Sequence, residues 1–222
     1  GIKDIKQKKI VSIGDPRHRF SEDPVRSLRA IRFSNKLSFK IDKKIKNAIY
    51  EKGYLLSNIS NARIFDEFCK IFLSGMAEKN FNKLSSFGLS KILITIEPKV
   101  NEFLHNVIFE ALRNTDSRIK NNQSVTPGFL IAALLWPNLI NKSLTKGEIN
   151  LRKFFRSMDP ILRNQQKITA IPRKFHSYIK DIWILQLKLH SRIGKQPYKT
   201  LKHPRFRAAY DFLLIREKAS ND

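Results

Sequence analysis

Apolar residues recur at three- and four-residue steps along most of the chain, which predicts helices rather than strands. The clearest case runs from Phe175 to Leu189. The same spacing predicts further helices near residues 24–37, 43–53, 61–72, 81–88, 104–113, 127–136, 151–161 and 204–213. One short β-like run, Ile10 to Ile13, precedes a Gly-Asp-Pro turn. The chain is therefore predicted to be all-α, an irregular helical bundle with a short β segment at its N-terminus.

Several helix ends can be predicted from capping residues. Asp23 is predicted to be the N-cap of a helix with Pro24 in its first position, where proline leaves no amide unpaired. A second helix is predicted to follow Asp42 and to end at Gly53. Asn61 is predicted to cap a third helix, and Pro137 to end the helix that covers residues 129–136. No repeat of fixed period occurs, so a solenoid is not expected. A seam between two packed parts is expected near residues 95–100.

The charge is the outstanding property of the composition. Lys and Arg number 43 against 19 Asp and Glu, which gives a net charge of +24. Such an excess favours a polyanionic partner, above all nucleic acid. A basic surface without function, inflated by codon bias, remains the alternative. No membrane association is expected, because the longest apolar run, Phe129 to Trp136, is far shorter than the roughly 20 residues of a spanning helix.

The cysteine count and the first residues bear on the cellular compartment. Cys69 is the only cysteine, so neither a disulfide framework nor a cysteine-based zinc site can form within the chain. The N-terminal residues lack the apolar core of a signal peptide. A reducing, cytoplasmic location is therefore expected.

The densest candidate for a binding site lies between residues 17 and 33. Arg26 and Arg29 are three apart and share a helix face away from the apolar stripe, and Glu22 and Asp23 come just before them. A carboxylate beside an arginine can offer both an acceptor and a fork of donors to a nucleobase edge, and arginines can also bind a triphosphate. Exposed ion pairs with no further role remain the alternative.

A second candidate is the basic C-terminal stretch, because no carboxylate occurs between Asp181 and Asp211. Its cations are expected to contact RNA phosphates. Phe206 and Tyr210 could stack on bases, but with Leu213 they are predicted to form the buried face of a helix. The predicted RNA-binding cations are Lys188, Arg192, Lys195, Lys199, Lys202, Arg205 and Arg207.

Residues with catalytic chemistry are not recognisable. The chain has no Asp-x-Asp, no P-loop and no His-Glu-x-x-His, and its five histidines are dispersed. We therefore predict no catalytic residue and no metal site within the chain. Arg63, Glu67 and Lys70 lie at i, i+4 and i+7, and an ion-pair network supporting their own helix is the preferred interpretation for Glu67 and Lys70.

Several longer motifs resemble those of a known family. GDP at 14–16 with RFSEDPVRSLRAIRF at 19–33 resembles the nucleotide-recognition motif of class II nucleotidyltransferases, which comprise CCA-adding enzymes and bacterial poly(A) polymerases. Residues 59–75 are similar to the next shared motif. LRNTDSRI at 112–119 with Pro127 and 129–136, DIWILQL at 181–187 and LKHPRFRAAYD at 201–211 resemble the bacterial poly(A) polymerase branch.

The resemblance implies an enzyme with a catalytic head followed by a helical neck, body and leg. Residues 1–13 would be the remnant of the head, 14–97 the neck that recognises the nucleotide, and 98–222 the body and leg that bind RNA. Glu22, Asp23 and Arg26 match the nucleotide-recognising motif, and Arg29 would assist them. The three metal-binding aspartates of the head would lie upstream of Gly1, so this chain alone is expected to be inactive.

The function implied by the resemblance is the addition of AMP from ATP to RNA 3′ ends. In the intact enzyme, ATP would be used with Mg²⁺ ions that activate the 3′-hydroxyl and stabilise the leaving pyrophosphate. The partners implied are RNA 3′ ends, ATP and a head domain supplied in trans. A fragment of a tRNA CCA-adding enzyme, a non-catalytic RNA-binding helical module from a truncated gene, and a purely structural module are the alternatives.

Overall fold

The computed structural model describes residues 1–97, 100–190 and 194–220, and most residues in these ranges are helical. The all-α prediction is confirmed. Two short 3-10 helices also occur, at Gly53–Asn58 and Ser90–Ile92. The α-helices are α1 (Ile2–Lys6), α2 (Pro16–Glu22), α3 (Val25–Lys36), α4 (Lys43–Lys52), α5 (Asn61–Phe72), α6 (Ala77–Ser86), α7 (Glu102–Lys120), α8 (Pro127–Ser143), α9 (Leu151–Gln166), α10 (Lys174–Leu189), α11 (Gln196–Leu201) and α12 (Phe206–Ser220).

The strands in the described ranges are only two residues long. They are β1 (Lys9–Ile10), β2 (Lys40–Ile41), β3 (Leu144–Thr145) and β4 (Glu148–Ile149). β1 and β2 pair in parallel, and β3 and β4 pair in antiparallel orientation. The predicted β run from Ile10 to Ile13 is therefore shorter than expected. Only its first residue has a strand partner, and Ile13 is 88% exposed.

Nearly all buried apolar side chains form one continuous cluster that includes residues from α2 to α12. Its centre is α8, which is buried all round and packs against α7, α9 and α10. The ring of Trp136 meets Phe154 and Phe212 edge-on, and the indole N–H of Trp183 donates to the carbonyl of Ala132 at 2.9 Å. No helix in the described ranges is both long and apolar enough to cross a bilayer.

Pro137 does not end α8, contrary to the prediction, because the helix continues to Ser143 with the proline inside it. A proline removes one helical hydrogen bond, and here the helix is packed on every side, which compensates for that loss. The next residue, Asn138, also accepts from the amide of Glu97 and donates to the carbonyl of Thr95. These contacts link distant parts of the chain and have no signature in the local sequence.

The predicted caps were right at one helix and wrong at two. Asp42 caps α4 by accepting from the amide of Lys44 at 2.8 Å, as expected. Asn61 instead is the first residue of α5, and its amide donates to the carbonyl of Gln166 at 3.2 Å. The side chain of Asp23 does not cap α3 either, because α3 begins at Val25 with Pro24 as its N-cap. The side chains of Asp23 and Asn61 are engaged in longer-range contacts that compete with capping.

The missed helix α2 begins at a second aspartate–proline pair, Asp15-Pro16, about two turns upstream of Asp23-Pro24. Asp15 accepts from the amide of Arg17 at 3.2 Å, and Pro16 is in the first helical position. Asp23 is the C-cap of α2, with extended backbone angles, as expected for a residue that precedes proline. The chain therefore turns sharply at Asp23-Pro24 between two helices, and Glu22 lies at the end of α2 rather than at the start of α3.

The segment 112–119 joins α7 to its neighbours. Arg113 donates to Glu78 at 2.9 Å and to Glu110 at 2.6 Å, which ties α7 to α6. Burial opposes the ionisation of Glu110, but hydrogen bonds from Lys218 and Arg113 outweigh it, so that its pKa is lowered. Asp116 accepts from two backbone amides at the start of α6, so a residue of α7 caps a different helix.

Replacing Asp116 with alanine is expected to destabilise the protein, because two amides at the start of α6 lose their acceptor. A cap of this kind is worth about 1–2 kcal/mol. Urea unfolding of Asp116→Ala measures the loss. Asp159→Ala is the matched control, because Asp159 makes only an exposed ion pair with Lys180, and it should change stability by less than about 0.5 kcal/mol. Equal effects of the two substitutions would contradict the capping role.

Candidate nucleotide and RNA interface

The turn between α2 and α3 is held by a contact with α5. The guanidinium of Arg63 donates to the carboxylate of Asp23 at 2.9 Å. The Asp23 carbonyl accepts from the amide of Arg26 at 3.1 Å, which starts the first turn of α3. Asp23 therefore uses its backbone for the helix and its side chain for α5.

Arg26 lies between the two carboxylates that precede it. Its guanidinium is 3.9 Å from Glu22 and 3.8 Å from Asp23, and its side chain is 38% exposed. Glu22 is also 3.0 Å from Arg19 and 3.3 Å from His18. Since both Arg26 contacts are long and its side chain is partly exposed, its donors remain accessible to a ligand.

Arg29 reaches across to α5 in the same way. Its guanidinium is 3.7 Å from the carboxylate of Glu67, which also accepts from Lys70 at 3.1 Å. Glu67 is 1% exposed, whereas the side chains of Arg29 and Lys70 are about half exposed to solvent. The predicted Glu67–Lys70 pair is present, and it serves as a bridge between helices as well as a support for α5.

These contacts bring the four predicted nucleotide-binding residues into one group with α5. The group, called here the α3–α5 charge cluster, has five cations and three carboxylates, so it keeps an excess of positive charge. Such a surface offers donors, acceptors and net attraction for an anionic ligand. Its members are Arg19, Glu22, Asp23, Arg26, Arg29, Arg63, Glu67 and Lys70.

Sequence reasoning missed Arg63 and Arg19 as members of this cluster. Arg63 was noted only as part of a charge ladder on its own helix. The sequence did contain an indication of this role, because Arg63 and Glu67 lie on one face of α5. A helix face with one positive and one negative side chain can pair with another helix that also carries both signs of charge. Without the fold, however, that partner could not be identified as α3.

The predicted RNA-binding cations of the C-terminal region divide into two kinds. Lys188, Lys195, Lys199 and Lys202 are exposed and make no ion pair with a carboxylate in the described part of the chain. Arg205 and Arg207 are also exposed, but Arg205 contacts an aromatic ring and Arg207 contacts a carboxylate. Arg192 lies outside the described residues.

Arg205 and Arg207 line a cleft of about 230 Å³ between α7, α10 and α12. The guanidinium of Arg205 lies over the ring of Tyr178 at 4.8 Å. Arg207 is 3.0 Å from Asp211, which is also 3.7 Å from Arg118. Burial raises the pKa of the Tyr178 hydroxyl, against the effect of Thr126 and Arg205. Sequence reasoning missed Tyr178 as a candidate because it had been counted with the apolar face of α10.

The predicted buried face of the last helix was wrong. Phe206 is half-buried and Tyr210 is 41% exposed, and their rings stack at 5.9 Å. The buried residues of α12 are Ala209, Phe212, Ile215 and Ala219, which face α7 and α10. The two rings are therefore available beside Arg205 and Arg207, as the alternative of base stacking requires.

Neither a metal site nor a reactive thiol is evident in the described ranges. No group of three or more His, Cys, Asp or Glu side chains comes together there. Glu22 and Asp23 each contact arginines rather than converge on a common point. Burial raises the pKa of the Cys69 thiol to about 11, so it stays protonated near neutral pH.

Two family profiles match this chain. Residues 38–104 match "Probable RNA and SrmB- binding site of polymerase A", and residues 146–222 match "Polymerase A arginine-rich C-terminus". Poly(A) polymerase I of Haemophilus influenzae is 38% identical over 225 residues, which cover 97% of this chain and 50% of that protein. The chain belongs to the bacterial poly(A) polymerase family. It spans about half the length of the curated relatives it matches over its full extent.

CCA-adding enzymes are similar over a smaller part. That of Pediococcus pentosaceus is 40% identical over 103 residues, which cover 46% of this chain and 23% of the enzyme. Among solved structures, the Thermotoga maritima CCA-adding enzyme complexed with tRNA has a TM-score of 0.64 at 18% identity, covering 100% of this chain and 52% of that one. That likeness shows the shared fold. Similarity to poly(A) polymerases over nearly the whole of this chain places it in that branch.

Removing the charge of Glu67 is expected to loosen the contact between α3 and α5. Glu67→Gln keeps the size of the side chain but leaves Arg29 and Lys70 next to a buried neutral amide. The NH₂ group of that amide also introduces buried hydrogen-bond donors that need acceptors. The free energy of unfolding should fall by about 1–3 kcal/mol. Glu22→Gln, at an exposed ion pair, should cost less than about 1 kcal/mol. Chemical denaturation compares them, and a smaller loss for Glu67→Gln than for Glu22→Gln would refute the bridging role.

Proposed function

We propose that this protein takes part in adding AMP from ATP to RNA 3′ ends, with the α3–α5 charge cluster recognising the nucleotide and the C-terminal cations holding the RNA. One observation carries the proposal: Glu22, Asp23, Arg26 and Arg29 all belong to one partly exposed charge cluster with α5, in a chain related throughout to poly(A) polymerases. In this scheme residues 14–97 are the neck and 98–222 the body and leg.

Arg26 has the central part in nucleotide recognition. Its guanidinium can donate to the acceptors of a base edge while Asp23, fixed by Arg63, accepts from an exocyclic amine. Adenine offers such an amine beside a ring nitrogen, so one donor and one acceptor side by side suit its edge. Arg29 supplies further positive charge for the phosphates.

The nucleotidyl transfer step needs chemistry that the described residues do not fit. Their carboxylates do not form a metal-binding group, so no step through Mg²⁺ is assigned to them. The proposal assigns the metal-binding carboxylates to a head domain, in the same polypeptide or supplied in trans. This chain then contributes selection of ATP and retention of the RNA. Tail addition with the head present tests the whole scheme.

A CCA-adding function is the second candidate, since CCA-adding enzymes are similar over almost half of the chain. The two functions differ in the nucleotide used. A CCA-adding enzyme incorporates both CTP and ATP, whereas a poly(A) polymerase incorporates ATP alone. Salt-sensitive RNA binding without measurable ATP binding would instead indicate a non-catalytic RNA-binding module.

Arg26→Ala is expected to weaken ATP binding by about tenfold or more, because a charged hydrogen-bond donor to the base is lost. Arg17→Ala is the matched control. Arg17 is close to Arg26 in sequence and is more exposed to solvent, but it pairs with Glu51 outside the cluster. The ATP affinity of the Arg17→Ala variant should stay within about twofold of that of the parent protein. Titration calorimetry gives both values, and equal ATP affinities for the two variants would refute nucleotide recognition by Arg26.

Lys199→Gln with Lys202→Gln is expected to reduce the salt dependence of RNA binding. Each phosphate contact with a single strand contributes about 0.7 to the slope of log affinity against log salt, so two contacts contribute about 1.4. Lys146→Gln with Lys153→Gln removes the same charge from exposed positions outside the candidate sites. Fluorescence anisotropy with an oligoadenylate at several salt concentrations measures the slopes. Identical slopes for the two double variants would exclude phosphate contacts at the C-terminal lysines.

A further inference from the structure

An open pocket of about 790 Å³ lies where the C-terminal end of α3 meets β2, α4 and α6. It is distinct from the α3–α5 charge cluster, because Ser34 in the pocket is eight residues beyond Arg26, or about 12 Å along the helix. Its lining is rich in lysine. We call it the lysine pocket, and its cations are Lys9, Lys40, Lys43, Lys46, Lys79 and Lys83.

The lysine pocket has almost no negative charge of its own. Asp42 is its one carboxylate, and an oxygen of that side chain already accepts from the amide of Lys44. None of the six lysines forms an ion pair with a carboxylate in the described ranges of the chain. An anion would therefore find several unsatisfied cations together.

The lysines are also held close to one another. Lys9 of β1 is directly opposite Lys40 of β2, an arrangement in which like charges repel. Lys83 is half-buried and donates to the neutral hydroxyl of Ser34 at 2.8 Å. Burial, and then the charge of Lys46, lower the pKa of Lys83. This repulsion is unfavourable in the free protein and would be relieved by a bound polyanion.

An aromatic ring stands at the edge of the lysine pocket. Tyr50 is 63% exposed, and its ring packs against that of Phe87 in a tilted arrangement, with 5.1 Å between the ring centroids. A ring supported from one side and open on the other provides a face on which a base can stack. An acidic protein surface would use the lysines but would have no need of this exposed face.

We propose that the lysine pocket binds single-stranded RNA, with lysines at the phosphates and a base stacked on Tyr50. The family description of residues 38–104 mentions RNA but names no residues, and Lys9 lies outside that range. The inference deepens the proposed function, since it adds an RNA contact independent of the C-terminal cations. RNA long enough to reach both would be held at two places, which raises its apparent affinity.

The experiment is salt-dependent binding of an oligoadenylate to Lys46→Gln with Lys79→Gln, compared with Lys146→Gln with Lys153→Gln. Lys46 and Lys79 are exposed helix residues, so glutamine should leave the fold intact, as circular dichroism will show. The slope of log affinity against log salt should fall by about 1.4 for the pocket variant, and the control should keep the parent slope.

The stacking contact is tested separately. Tyr50→Ala should weaken binding of the oligoadenylate by about tenfold, whereas Tyr50→Phe, which keeps the ring, should bind as the parent does. If Tyr50→Ala binds the oligoadenylate as tightly as the parent protein, the stacking contact is overturned. If the salt dependence of RNA binding is unchanged in the Lys46→Gln, Lys79→Gln variant, the proposal as a whole is overturned.

Two further outcomes are distinguishable. If the lysine variant loses binding of polyglutamate but keeps its RNA slope, the pocket binds an acidic protein and the proposal fails. ATP affinity, measured in the same variants, should remain that of the parent. Failure at the lysine pocket with intact ATP binding therefore refutes this inference alone, whereas equal ATP affinities of Arg26→Ala and Arg17→Ala would refute the proposed function.

Discussion

The ion pair between Asp23 and Arg63 is the contact on which the candidate nucleotide site depends. Pro24 forces the preceding residue into an extended conformation, so α2 and α3 meet at a sharp turn rather than as one helix. The contact with α5 fixes the direction of that turn. Glu67, buried beneath Arg29 and Lys70, adds a second connection between α3 and α5. Together these contacts hold Arg26 and Asp23 side by side, one as a donor and one as an acceptor.

The helices with strong apolar periodicity and local caps could be predicted from the sequence. The α4 helix is the clearest case, because it begins after Asp42 and ends at Gly53, where the sequence predicted its two ends. Predictions failed where tertiary contacts override local preference. Pro137 is tolerated inside α8 because that helix is packed on all sides. The side chain of Asn61 does not cap α5 but donates a hydrogen bond to the distant carbonyl of Gln166. Neither effect has a local signature.

The candidate site was predictable to the extent that its residues are close in sequence. Glu22, Asp23, Arg26 and Arg29 were identified from one motif, whereas their partners on α5 depend on helix packing. The aromatic residues show the opposite failure. Tyr210 was assigned to the core by its spacing but is partly exposed, because α12 turns smaller residues such as Ala209 toward its neighbours. The lysine pocket likewise arises from five separate elements and could not be assembled from the sequence.

The central claim is that Asp23, held by Arg63, presents one side of the nucleotide site. A double-mutant cycle on ATP affinity with Asp23→Asn, Arg63→Gln and the combined variant tests it most directly. If Arg63 acts through Asp23, each single change weakens ATP binding and the combined variant binds about as weakly as Asp23→Asn alone. Losses that simply add, or ATP affinity unchanged in Asp23→Asn, would contradict the account.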